Sequence, residues 1–314
     1  MGKRNMSLQE ISYIAPGFDQ RIAFSRNRGL ISQEEQSTLM NKRVAIPGCG
    51  GVGGLFAETL ARIGIGKFRI ADDDVFEIGN FNRQAGATVS TVNMNKADVT
   101  ATQIRDINPL AEVEVWHQKV TEKNALQFIS GADVVLDGID FYALPDRRAL
   151  FQACWQQQVP AMTSAPLGFS ATLHIFAPGG MSFDEYFDLH KPDSLPEQLL
   201  KFLIGLAPRA LNRMYTDYSS IDPERKTGPS SILGTQQAAS LVCAEVLRIL
   251  LGWGQSALAP NYLQFDNYRQ CLAKSRMPFG NRHIRQRLAY YLAKRLLKKQ
   301  GVWQKLQTMA AQGV

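Results

Sequence analysis

Residues 43–84 read RVAIPGCGGVGGLFAETLARIGIGKFRIADDDVFEIGNFNRQ. Residues 44–46 form a short apolar run carrying Val44 and Ile46, and a glycine-rich turn follows at once. After the turn, Leu55, Phe56, Leu60 and Ile63 recur at helical spacing, so the segment predicts strand, turn and helix. Gly48, Gly50 and Gly53 fit G-x-G-x-x-G. With no side chains there, backbone amides can approach a phosphate, and the helix N-terminus adds positive potential. Residues 68–71 read as a second strand with Asp72 at its end. A carboxylate about 20 residues beyond such glycines is where a ribose hydroxyl is held. The stretch therefore suits an adenine nucleotide.

The loop beyond the second strand narrows this. Asn80, Asn82, Arg83 and Gln84 crowd four polar side chains into five residues, and Lys96 follows a dozen residues further on. A dinucleotide diphosphate held by a helix N-terminus has no need of two added cations. A triphosphate being cleaved does, because charge builds on the departing pyrophosphate.

Taken together, GCGGVGG, ADDD, NFNRQ, Lys96 and LDGID resemble, in order and spacing, the ThiF/MoeB/HesA adenylyltransferases, bacterial relatives of ubiquitin-activating enzymes. The resemblance runs over roughly residues 20–270. It implies a Rossmann-like, doubly wound α/β fold with a mostly parallel sheet, and the use of ATP and Mg²⁺. It implies that Gly48, Gly50, Gly51 and Gly53 cradle phosphate, and that Asp72, Asp74, Asn80, Arg83, Gln84 and Lys96 surround the nucleotide. Arg26, Arg83, Lys96 and Asp140 are the implied catalytic set, with Asp140 the metal ligand. In the family an arginine at the place of Arg26 reaches the partner subunit's ATP, so a homodimer is implied; Arg21 and Arg28 are rivals for that role. The implied partner is a small ubiquitin-like or sulfur-carrier protein, or a peptide with a free C-terminus.

The rest of the chain divides into an arm and short helix (1–42), the nucleotide-binding core (43–180), an irregular crossover insertion (181–228), the remainder of the core (229–270) and a basic tail (271–314). Residues 1–20 lack periodicity and read as a flexible arm. Ser32 and Glu35 form a capping-box pattern for a helix to about Met40. Pro47 lacks the N–H of a central strand, so it must be the last residue of its strand. Lys96 opens a helix that ends at Asn108-Pro109; on spacing alone it could be a surface lysine. Residues 134–136 read as a buried strand, and Asp137 and Asp140 stand at its carboxyl end, where open α/β sheets bind ligands. Asp137 could equally be a cap. A helix is expected around residues 198–204 within the insertion, a long one over 228–251 and a last strand at 262–265, with Cys271 beyond it.

The net charge of +7 is unevenly placed. Residues 281–314 hold eight Lys or Arg and no acid, leaving 27 of the 35 basic residues against all 28 acidic ones in the body. The tail predicts an amphipathic helix with Ile284, Leu288, Tyr291, Leu292 and Leu296 on one side. Packing on the body is the plain expectation for it; an anionic partner, RNA or a membrane surface are the sharper ones. No secretory start or membrane-length apolar run appears, and Cys49, Cys154, Cys243 and Cys271 form no C-x-x-C pair, so a reducing cytoplasm is expected. His117, His174, His190 and His283 show no metal spacing. Two other functions fit parts of the pattern. A nicotinamide-dependent oxidoreductase explains the glycines and Asp72 but leaves Arg83, Lys96 and Asp140 unused, and a non-catalytic binding module leaves the whole set unused. Members of the resembling family that form an enzyme thioester place a cysteine in or near the crossover segment, and 181–228 holds none, so the resemblance implies no enzyme thioester.

Overall fold

The computed structural model describes residues 17–189 and 192–312. Most of the expected N-terminal arm falls outside them. Among the described residues nine strands form one sheet: β1 (Arg43–Pro47), β2 (Lys67–Ala71), β3 (Glu112–Trp116), β4 (Val134–Asp137), β5 (Ala161–Thr163), β6 (Pro166–Leu167), β7 (Ser170–Phe176), β8 (Asn261–Asp266) and β9 (Cys271–Arg276). The strand order is β3-β2-β1-β4-β5-β7-β8-β9, with β6 pairing β7 outside that path. The first five strands in this order pair in parallel and the rest antiparallel. The chain winds outward from β1 to β3 and returns to place β4 on the other side of β1. That reversal opens a crevice at the carboxyl ends of β1 and β4. The expected doubly wound, mostly parallel fold is therefore the one present.

Helices α1 (Gln20–Ala23) and α2 (Gln33–Leu39) precede the sheet. The Ser32 capping box forms as expected, Ser32 Oγ accepting from Glu35 N–H and Glu35 accepting from Ser32 N–H. Helices α3 (Gly53–Ile63), α4 (Lys96–Ile107), α5 (Ala125–Ile129), α6 (Leu144–Gln156) and α9 (Ile232–Leu251) cover the sheet. Two large apolar clusters sit on its opposite faces, one around Phe56, Leu60 and Ile70, the other around Phe128, Leu150 and Phe176. Pro47 ends β1 and lends its carbonyl to Gly138 N–H at 3.0 Å.

Two regions differ from the sequence expectation. The insertion is more ordered than expected: it forms α7 (Phe183–Phe187), and the helix expected around residues 198–204 is present as α8 (Leu195–Leu206). Phe183, Tyr186 and Phe187 are buried, and the Phe183 ring stacks on Phe151 of α6 at 4.4 Å. The tail differs more. Cys271 does not follow the last strand but begins β9, which pairs with β8 along its whole length. Beyond it lie two helices, α10 (Ile284–Lys299) and α11 (Val302–Ala311). Val302, Trp303, Leu306 and Met309 are buried, so α11 belongs to the core. Polar residues around that short apolar repeat hid it.

The inner face of α10 is fixed by specific contacts. Lys294 bonds Glu197 of α8 at 3.0 Å and lies over the Trp303 ring of α11. The lysine holds the Glu197 carboxyl well below its usual range, at about 2. Gln286 donates to the Ile204 carbonyl at 3.0 Å. Among the described residues no helix is long and apolar enough to cross a membrane.

Candidate active site

The turn between β1 and α3 is held by backbone approach. Gly48 has φ of +92°, and a Cβ there would lie 2.1 Å from the Gly138 carbonyl oxygen. A Cβ on Gly53 would lie 1.8 Å from the Gly48 oxygen. Only glycine fits at either place. No side chain caps the N-terminus of α3, so its first amides face the crevice with the helix's positive end.

Asp72 braces this turn. One carboxylate oxygen accepts from Cys49 N–H at 2.7 Å and the other from Asp74 N–H at 2.9 Å. Burial pushes its carboxyl above the usual value, against those bonds and the nearby Lys96. The residue expected to hold ribose thus also locks the glycine turn. Lys96 is not a surface lysine: it is buried, and its ammonium meets Asp74 at 3.2 Å. Asp72, Asp73 and Asp74 bring one oxygen each within 4.8 Å of one another.

The 80–84 loop closes the same crevice. Asn80 accepts from Glu77 N–H at 3.1 Å. Arg83 donates to the Gly79 carbonyl at 2.9 Å and to Asn82 at 3.0 Å, and pairs with no carboxylate among the described residues. Gln84 is buried against Gly50, and its Oε1 has no hydrogen-bond partner among the described residues. Such an orphan acceptor in a crevice wall is a place for a ligand donor. The start of α9 tethers the loop. Thr235 Oγ1 donates to the Arg83 carbonyl at 3.2 Å, and Ile232 N–H to that of Asn82 at 3.1 Å. The sequence carries no local sign of this tether, because Thr235 and Arg83 are far apart in the chain.

Asp140 projects into the crevice from the loop after β4. One oxygen accepts from Tyr142 N–H at 2.9 Å; the other has no partner among the described residues. Asp137 is neither a free ligand nor only a cap. It accepts from Ile139 N–H at 3.1 Å and forms a buried ion pair with Arg147 at 2.7 Å. Arg147 escaped the sequence reading. Its guanidinium also donates to the carbonyls of Ile139, Asp140 and Phe141 and lies over the Phe202 ring. This one side chain gathers the whole loop that presents Asp140.

Gly48, Gly50, Gly51, Asp72, Asp74, Asn80, Arg83, Gln84, Lys96 and Asp140 line one cleft of about 1570 Å³, which continues along α8 and α10; Gly53 is not among its lining residues. Its far wall is Leu288, Leu292 and Leu296 of α10 with Arg285, Arg295 and Lys299. Arg26 does not line the cleft of its own chain. It is exposed in a tight turn and makes no side-chain bond among the described residues, whereas Arg21 pairs with Asp19 at 2.8 Å and Arg28 bonds the Arg21 carbonyl at 3.3 Å.

The histidines behave structurally: His117 pairs with Asp98, His174 is buried against Tyr186, and His283 accepts from Arg285 N–H at the start of α10. His190 lies outside the described residues. Cys49, Cys154 and Cys243 are buried, and burial pushes all three thiols up, Cys154 to about 12. Cys271 is half-buried and does not line the cleft. With Ellman's reagent on the native protein, one of the four thiols is expected to react promptly, and Cys271→Ala is expected to remove that phase. Two or more prompt thiols would contradict this burial pattern.

Comparison with known proteins adds family and fold. The family model described as ThiF family matches residues 24–285. A tRNA threonylcarbamoyladenosine dehydratase of Bacillus subtilis is 39% identical over 142 residues, covering 45% of this chain and 55% of the relative. The sulfur carrier protein ThiS adenylyltransferase of Escherichia coli is 30% identical over 148 residues, covering 47% and 58%. The matched stretch thus spans little more than half the length of these curated relatives. Among solved structures, PaaA aligns over 88% of this chain and 86% of its own with a TM-score of 0.63 at 19% identity. The E. coli TcdA structure in complex with AMP aligns over 74% and 96% with a TM-score of 0.56 at 23% identity.

Proposed function

The chain belongs to the ThiF family, and from that premise we propose that it is an ATP-dependent adenylyltransferase that activates a carboxylate at the end of a polypeptide. One observation carries the reading: the Gly48–Gly53 turn, Arg83, Lys96 and Asp140 share a single cleft at the carboxyl ends of β1 and β4. A carboxylate oxygen attacks the α-phosphorus of ATP, the bond to the bridging oxygen breaks, and pyrophosphate leaves with that electron pair. The product is an acyl-adenylate, whose AMP is a far better leaving group than hydroxide.

In this reading the turn and the α3 N-terminus hold phosphate, Asp72 takes the ribose, and Arg83 and Lys96 neutralise the charge on the departing pyrophosphate. Asn80 and Gln84 complete the nucleotide wall. Asp140, with one oxygen unengaged, fits a hard cation; Mg²⁺ there would neutralise the triphosphate. The buried thiols support direct transfer of the adenylate to an external nucleophile, without an enzyme thioester.

Calorimetry with ATP and Mg²⁺, and separately with NAD, tests the nucleotide. ATP is expected to bind and NAD not to, with Lys96→Ala weakening ATP by at least about tenfold, the loss of one charge-assisted contact. Tight NAD binding with no ATP signal would replace this reading with the oxidoreductase.

Arg26, unengaged in its own chain, supports a homodimer in which it completes the partner's site. An Arg26→Ala protein mixed and exchanged with an Asp140→Ala protein is then expected to regain roughly a quarter of wild-type activity, the share of intact sites in a random mixture of twofold dimers. No regain after proven subunit exchange would remove Arg26 from the partner's site.

A further inference from the structure

We infer that α10 is the docking wall for the substrate polypeptide, and that the segment it accepts carries acidic and apolar side chains together on the one side that faces α10, just upstream of the reacting carboxylate. This rests on the adenylation reading, because the cleft that α10 walls is the one that reading gives to ATP.

The observation is a stripe. Arg285, Leu288, Leu292, Arg295, Leu296 and Lys299 all line the cleft. Their spacing of three and four residues puts them on one side of the helix. From first to last they span about 21 Å at the α-helical rise, the length of some six residues of extended peptide. The leucines are unburied: Leu288 is 59% exposed, Leu292 55% and Leu296 36%. The three cations pair with no carboxylate among the described residues. The helix is nonetheless anchored by its other side, through Gln286, Lys294 and Leu297. A rigid helix thus presents solvated leucines between unpaired cations.

Charge in the cleft is segregated. Every acidic lining residue comes from 72–77 or 137–146, at the nucleotide end. The α10 end carries cations and no acid, so an acidic ligand is favoured there. Three leucines at the centre of the stripe offer nothing to a sugar-phosphate backbone but match apolar side chains of a peptide. The stripe lies in a concave cleft, which a bilayer cannot enter. A second copy is disfavoured as well: twofold pairing of this stripe would set Arg285 against Arg295 and Lys299.

Fluorescence anisotropy on the full chain tests this with a labelled octapeptide that carries Glu, Leu, Leu and Glu at every second position with Ser between them (the Glu-Leu peptide), its counterpart with Lys for Glu (the Lys-Leu peptide), a single-stranded RNA dodecamer and phosphatidylserine vesicles. The wild type is expected to prefer the Glu-Leu peptide over the Lys-Leu peptide by at least about tenfold. The triple variant Arg285→Glu, Arg295→Glu, Lys299→Glu is expected to invert that preference, which a misfolded protein could not do. Leu292→Ser is expected to weaken the Glu-Leu peptide severalfold.

Absence of Glu-Leu binding overturns the inference. So does RNA or vesicle binding that exceeds it and is lost in the triple variant, and so does a dimer that the triple variant breaks. Calorimetry of the wild type with ATP keeps the two readings apart. Peptide binding without ATP binding sinks the nucleotide assignment alone; ATP binding without peptide binding sinks the α10 assignment alone.

Discussion

Replacing Arg147 with leucine is expected to lower stability by about 3–5 kcal/mol, the cost of leaving one member of a buried ion pair unpaired. Asp137 is 3% exposed and Arg147 4%, so water cannot take over as the carboxylate's partner. The loss extends beyond the pair, since the carbonyls of Ile139, Asp140 and Phe141 lose their common donor. Arg147→Lys is expected to fall between, because an ammonium keeps the charge but not the planar fork that reaches several acceptors. Replacing both partners, Asp137→Leu with Arg147→Met, should recover part of the loss by removing the orphaned charge. Urea denaturation of the four proteins provides the comparison. A drop of under about 1 kcal/mol for Arg147→Leu, within the range of an exposed pair, would mean that the guanidinium does not hold the Asp140 loop.

Alanine at Gly48 or Gly53 is expected to reduce ATP affinity by roughly a hundredfold or more, about 2.7 kcal/mol of binding. Both substitutions drive a methyl group into backbone oxygen, at 2.1 Å from Gly138 and 1.8 Å from Gly48 respectively. Backbone cannot rotate aside as a side chain can, and at Gly48 the left-handed conformation adds its own strain. The turn must therefore open, and with it the ring of amides around the phosphates. Gly51→Ala is the contrast. Its methyl group would meet the Thr235 methyl at 3.3 Å and the Arg83 oxygen at 3.8 Å, a crowding that a small shift relieves. Its thermal midpoint is expected to stay near wild type while those of Gly48→Ala and Gly53→Ala fall. Calorimetry and thermal unfolding across the three variants decide the point. Equal ATP affinity in all of them would show that the turn does not bind nucleotide.

What the sequence determined by itself lies within short reach along the chain. The Gly48–Gly53 turn follows from glycine spacing between a strand and a helix. The end of β1 follows from the missing N–H of Pro47, and the α2 start from Ser32 and Glu35. Each depends on residues a few positions apart, where backbone geometry alone sets the distance. That Asp72, Asn80, Arg83, Gln84, Lys96 and Asp140 would surround one nucleotide was implied by the family resemblance; of these, Asp72 and Asp140 follow the carboxyl ends of β2 and β4, which a doubly wound sheet must gather at one edge. Tertiary structure alone decided the rest. Arg147 belongs to Asp137 only because α6 folds back over the end of β4. Thr235 steadies the Arg83 backbone only because the start of α9 packs against the 80–84 loop, and Phe183 becomes core because α6 presents Phe151 to it. The periodicity of α10 was readable, but not which of its sides would be buried. Its apolar residues could equally have sealed the core. Lys294 and Gln286, polar residues that found partners on α8, turned the leucine stripe toward the cleft instead. A hydrophobic pattern states that a helix has a face; only the packing of its neighbours settles what that face meets.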